Sequence, residues 1–226
     1  AREMQNRISN LLKEKTSSLP WLGTFHSVSA KLLRRHAEAV GLNSRFTIID
    51  QEDQIRLIKN ISKAEKIDIK KISPQFILSF VNQWKNKGLL PDQVITKKGL
   101  PLEKAILKVY KHYQDRLKIL NSCDFGDLIL LCVNMFEKNS DILELYLNNF
   151  KYILVDEYQD SNYIQSKWLQ LLCKNNNNIC CVGDDDQSIY SWRGAEIKNF
   201  LDFSKIYKNT KIIKLEQNYR STQNIL

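Results

Sequence analysis

The sequence predicts an α/β fold, a parallel sheet interrupted by a helical insertion, on three observations. Beyond Asp124, short apolar runs alternate with segments of helical periodicity, the rhythm of βαβ units. Three of those runs, Tyr152 to Val155, Ile179 to Val182 and Lys211 to Leu215, are each followed by a polar cluster. Open parallel sheets bind ligands at that carboxyl edge of their strands. Upstream, about residues 51 to 122 are helical in pattern with polar faces, punctuated by Ser73-Pro74, Gly88, Pro91 and Gly99-Leu-Pro101.

The opening residues, AREMQNRISNLLKE, set Met4, Ile8, Leu11 and Leu12 at helical spacing, so the chain starts within a helix rather than at a natural beginning. Trp21-Leu-Gly-Thr24-Phe25 reads as a short strand. Ser27 is placed to cap a helix running to Val40, with Gly41 as its stop. Phe46-Thr-Ile-Ile49 reads as a second extended piece, after which Asp50 can cap a helix. Residues 127 to 136 and 141 to 147 read as helices, and 151 to 155 as a buried strand. A helix then runs from about Ser161 to Lys174, with Ile164, Trp168, Leu171 and Leu172 roughly facing one way. Asn175 to Asn178 form a polar turn, Ile179 to Val182 a buried strand, Glu196 to Phe203 a helix and Lys211 to Leu215 another strand. No repeat of fixed period runs through the chain.

With 226 residues and 43% apolar content, the chain can bury a sizeable core. It has no run approaching the roughly 20 apolar residues of a membrane span, and its first residues are too polar for a signal-peptide core, so a cytoplasmic protein is expected. The five cysteines make no CxxC pair, which indicates neither a disulfide framework nor a zinc site; they read as small buried apolar residues. The net charge of +9 is unevenly placed. Residues 51 to 122 hold 15 Lys/Arg against 7 Asp/Glu, while the rest hold 19 against 18. Such a patch can hold a polyanion, or it can be a solvated lysine-rich helical surface.

The run Tyr152-Ile-Leu-Val-Asp156-Glu157-Tyr158-Gln159-Asp160 delivers two adjacent carboxylates to a strand end, where nucleotide hydrolases handle metal and attacking water. By itself it also fits a core strand ending in a charged turn. The second cluster, Val182-Gly-Asp-Asp-Asp-Gln187-Ser-Ile-Tyr190-Ser-Trp192-Arg193-Gly194-Ala195, adds acids, a glutamine, two aromatics and an arginine after a glycine turn. The third is Leu215-Glu-Gln-Asn-Tyr219-Arg220-Ser221.

With these clusters, Thr24-Phe-His-Ser27 and Asp124-Phe-Gly-Asp127 complete five blocks whose order resembles UvrD/Rep-type superfamily 1 DNA helicases, across almost the whole chain. The resemblance implies a RecA-like P-loop NTPase core acting on ATP with Mg²⁺, and single-stranded and forked DNA as partners. It implies Asp156 as the Mg²⁺ ligand, Glu157 as the residue that orients or deprotonates water, and Gln187 as a sensor of water and terminal phosphate. Arg220 would offset charge on the phosphoryl oxygens and Tyr219 would stack on the base. Phe25, Tyr190 and Trp192 would offer rings to single-stranded bases and Arg193 would meet a phosphate, with core packing the alternative for each ring. His26 fits a cap or a core histidine as well as a DNA contact. The three to five residues between Gln187 and the Tyr190/Trp192 pair suggest a short rigid link between hydrolysis and movement.

The seven glycines include no GxxxxGK[ST] phosphate loop. In the resembled family that Walker A segment lies just upstream of Ala1, and a second RecA-like domain lies downstream of Leu226. The chain therefore reads as a piece of a longer 3′ to 5′ motor, inactive alone. Residues 1 to 70 and 123 to 226 would form the first RecA-like domain, and 71 to 122 its helical insertion. Other readings are the motor part of a helicase-nuclease subunit, a non-catalytic DNA-binding remnant, and a metal nuclease using Asp156, Glu157 and Asp160.

Overall fold

Two apolar clusters divide the molecule, and the polar motifs sit where chain segments leave the first of them. A computed structural model describes residues 2–12, 19–96, 101–175, 178–219, 221, 222 and 224. Helix α1 spans Arg2–Leu12, α2 Phe25–Arg35, α3 Gln51–Ala64, α4 Pro74–Asn86 and α5 Pro101–Ile119. Next come α6 Phe125–Lys138, α7 Ser140–Asn149, α8 Tyr163–Leu172 and the short α9 Ile197–Leu201 and α10 Phe203–Ile206. Strand β1 (Thr47–Ile48) pairs in parallel with β2 (Ser122–Cys123). Strand β3 (Ile153–Val155) pairs in parallel with β4 (Ile179–Cys181), Ile153 against Ile179 and Val155 against Cys181, with α8 as the crossover. The described part is thus α/β, with two small parallel ladders and many helices.

The first cluster packs α2, α6, α7 and α8 around Leu32, Leu33, Leu128, Phe136, Tyr146 and Trp168. The second gathers Ile58 of α3, Ile77 and Val81 of α4, and Val109, Tyr110 and Tyr113 of α5. Helix α3 therefore shares the apolar face of α4 and α5, although it lies before residue 71. Asp50 caps α3 as expected, its carboxylate accepting the Asp53 N–H at 2.9 Å.

A buried ionic cluster joins the two halves. Asp124 and Asp127 form a reciprocal capping box at the start of α6, each carboxylate accepting the other residue's N–H. Both also receive Lys85 of α4, at 2.6 Å for Asp124 and 2.7 Å for Asp127. The Tyr113 hydroxyl donates to Asp124 at 2.8 Å and the Gln114 amide to Asp127 at 2.9 Å. The Asp124-Phe-Gly-Asp127 block is therefore a clasp between α4, α5 and α6.

Several local expectations are corrected. The Trp21–Phe25 piece is a turn, not a strand: Thr24, not Ser27, caps α2, its hydroxyl accepting the Ser27 N–H at 3.2 Å. A hydroxyl three positions ahead of another can take either role, and the turn at Gly23 leaves no extended stretch to pair. Helix α2 ends at Arg35; a 3-10 turn at Ala37–Val40 follows, with Gly41 in the left-handed region at φ 73°. The anticipated 196–203 helix breaks at Asp202 into α9 and α10. β3 and β4 are covered on one face only, with Leu154 79% exposed and Cys180 exposed, against the expectation of buried strands and buried cysteines. Residues 211 to 215 join no ladder among the described residues, and Leu215 is 87% exposed. Apolar sequence alone does not bury a strand; a neighbouring strand must take its N–H and C=O groups.

Candidate active site

The parallel ladder sets the tips of β3 and β4 side by side. Val182 N–H donates to Val155 C=O at 2.8 Å, and Tyr158 N–H donates to Val182 C=O at 3.0 Å, so the pairing continues past the strands into both polar loops. Asp156 and Glu157 emerge exposed at the turn, with Glu157 in the left-handed region at φ 52°. A non-glycine residue there is costly and is held by its surroundings. Here the turn is closed by Asp160 N–H donating to Glu157 C=O at 3.0 Å.

The side chains continue the connection. Gln159, 1% exposed, donates its Nε2 to Glu157 Oε2 at 2.7 Å and accepts the Asp184 N–H on Oε1 at 3.2 Å. Asp184 in turn accepts the Asp186 N–H at 3.0 Å and Gln187 Nε2 at 2.6 Å. Glu157 and Gln187, assigned from separate sequence blocks, are thereby joined through two intervening residues. Gly183 makes this approach possible, because a Cβ there would stand 2.5 Å from Gln159 Oε1 and 2.8 Å from the Phe200 ring.

A cavity of about 540 Å³ opens beside this turn, with Thr24, Phe25, His26, Asp156, Glu157 and Asp160 among its walls. Burial, and secondarily the Glu157 charge, holds the Asp160 carboxyl above its ordinary range, and Asp160 Oδ1 is buried without a hydrogen-bond partner. Burial lowers the His26 pKa, favouring neutral imidazole. The Phe25 ring is half-buried, edge-on to Trp168 at 5.8 Å, so it borders both cavity and core.

The remaining predicted residues are distributed as follows. Tyr190 and Trp192, the latter 74% exposed, stand on the loop beyond Gln187, within which Ser191–Arg193 forms a 3-10 turn. The Arg193 side chain lies outside the described residues, as does Arg220 altogether. Tyr219, 86% exposed, donates its hydroxyl to Gln217 at 3.0 Å and does not line the cavity. The structure thus brings Asp156 and Glu157 to the tip of β3 and links them to Gln187 in the loop beyond β4, with Phe25 lining the same cavity as the acid pair and Gln187 not among its walls. The connecting roles of Gln159 and Asp184 were missed, although both lie inside the quoted blocks; a glutamine two residues beyond the acid pair was the available signal.

Among the described residues no three His, Cys, Asp or Glu side chains gather into a metal cage. An open carboxylate such as Asp156 instead fits a hard cation that keeps waters and completes its shell with phosphate oxygens. Residues 1–208 match the family model described as the UvrD/REP helicase N-terminal domain. The chain belongs to the UvrD/REP helicase family. Relatives include a "Probable DNA helicase II homolog" of Rickettsia conorii, 48% identical over all of this chain and 35% of that protein. The "ATP-dependent DNA helicase PcrA" of Staphylococcus epidermidis is 43% identical over all of this chain and 31% of its own length. This UvrD/REP chain therefore spans about a third of the length of those relatives. No described helix is long and apolar enough to cross a membrane.

Proposed function

We propose that this chain is the N-terminal motor portion of an ATP-dependent DNA helicase, with a RecA-like core, that couples ATP hydrolysis to 3′ to 5′ movement on single-stranded DNA and to unwinding of forked DNA. The observation that carries the reading is the juxtaposition of the Asp156-Glu157 turn with the Gln187 loop at adjacent tips of a parallel ladder. Asp156 would hold Mg²⁺, which when bound neutralises charge on the phosphates. Glu157 orients a water and accepts its proton. Gln187, able to donate and accept together, contacts that water and the terminal phosphate. Arg220 offsets charge on the transferred phosphoryl group, and Tyr219 stacks on the base.

On the DNA side, Phe25, Tyr190 and Trp192 would stack on bases and Arg193 would meet a phosphate. The lysine-rich α3–α5 unit would track duplex phosphates. We place the insertion from α3 onward rather than from residue 71, because α3 closes the second apolar cluster. In the protein at its full encoded length, Glu157→Gln should lower DNA-stimulated ATP hydrolysis about 10²- to 10⁴-fold while DNA binding is retained. Wild-type turnover in that variant would refute the assignment.

A further inference from the structure

We propose that Gln159 is a positioning residue: it sets the Glu157 carboxylate and registers the Gln187 loop against it. The inference rests on the proposed hydrolytic role of Glu157. A primary amide has one donating and one accepting end, and here the two ends face opposite demands. Nε2 meets a carboxylate oxygen at 2.7 Å, and Oε1 meets the Asp184 N–H at 3.2 Å. Only one orientation of the amide satisfies both, so Gln159 is keyed as well as buried.

The far end of the connection is equally defined. Asp184 holds Gln187 through Oδ2 at 2.6 Å and its own turn through Oδ1, so a displacement of Gln187 reaches Gln159 through one short 3-10 turn, Asp185–Gln187. Gly183 and Phe200 wall the amide in, limiting its freedom to reorient. A carboxylate so placed is aimed before substrate arrives, and a misplacement of about 1 Å costs on the order of 10²-fold in rate.

The test compares Gln159→Leu, Gln159→Glu and Asp184→Ala in the full-length protein. Gln159→Leu removes both bonds and should lower kcat about 10- to 100-fold, with KM for ATP and affinity for single-stranded DNA each within about 2-fold. Gln159→Glu keeps an acceptor for the Asp184 N–H but turns an oxygen instead of a donor toward the Glu157 carboxylate, and should lower kcat by a similar factor with KM for ATP within about 2-fold. Asp184→Ala leaves the buried amide in place; combined with Gln159→Leu, its loss in kcat should be less than multiplicative, because both act along one connection. An unchanged kcat in Gln159→Leu or Gln159→Glu, or a multiplicative double variant, would overturn the proposal. Should Gln159→Leu not fold, the split between kcat and KM in Gln159→Glu decides. Glu157→Gln separates the two levels: if it retains turnover, the hydrolytic reading itself fails, whereas its inactivity beside a fully active Gln159→Leu defeats only the positioning role.

Discussion

Lys85 shows how a residue's neighbours, rather than its type, decide its work. In the sequence it is one of 15 cations in a basic stretch; in the fold it is fully buried between two carboxylates. Removing one partner of a buried ion cluster strands the others, so Lys85→Met should cost about 3–5 kcal/mol of stability, read by denaturant unfolding. The two aspartates titrate apart. Burial alone would raise Asp124, but Lys85 outweighs it and holds that carboxyl below its ordinary range. Burial, and then the Asp124 charge, push Asp127 up to about 6 from an ordinary 3.8. Between about pH 4 and 6 the folded state therefore holds a proton that the unfolded chain has released, and raising the pH across that window removes stability at this site. Asp127→Asn should flatten that part of the stability–pH curve; an unchanged slope would exclude Asp127 as its source.

At the scale of elements, positions were more legible than boundaries. A polar residue ahead of apolar periodicity marked α3, because a cap needs only a local side chain and an N–H three residues on, whereas α6 was legible from periodicity alone and its Asp124 cap was not read. The same rule erred at α2, where Thr24 and Ser27 both offered hydroxyls. Apolar runs announced β3 and β4 but not their exposure, which depends on a second layer, and Lys211–Leu215 had strand composition without a paired neighbour among the described residues. Gly183 is the sharpest case at this level, since its missing Cβ leaves space for Gln159 between β4 and α9. Gly183→Ala should lower the melting temperature and DNA-stimulated turnover together, and an unchanged melt would show that Phe200 and Gln159 yield without cost.

For the molecule as a whole, the chemistry is split between what these 226 residues contain and what they lack. They hold Asp156, Glu157 and Gln187, which are proposed to act on the nucleotide, but no GxxxxGK[ST] loop, whose lysine and amides supply most phosphate ligands. The chain expressed alone should therefore show no single-turnover ATP hydrolysis above a Glu157→Gln control. Turnover above that control would mean that the present residues suffice. The clasp of Lys85, Asp124 and Asp127 gives the α3–α5 unit a fixed attachment to α6, which the proposed motor function would need for loop movements at one cluster to shift the other.

The sequence alone determined the α/β class, the cap of α3 and the order of the motif blocks, because periodicity, capping and motif spacing are local or ordered along the chain. The tertiary structure decided which residues meet: Lys85 with two aspartates 39 and 42 positions away, and Glu157 with Gln187 through Gln159 and Asp184. Such contacts depend on how helices and strand tips pack in space, and no spacing along the chain encodes that.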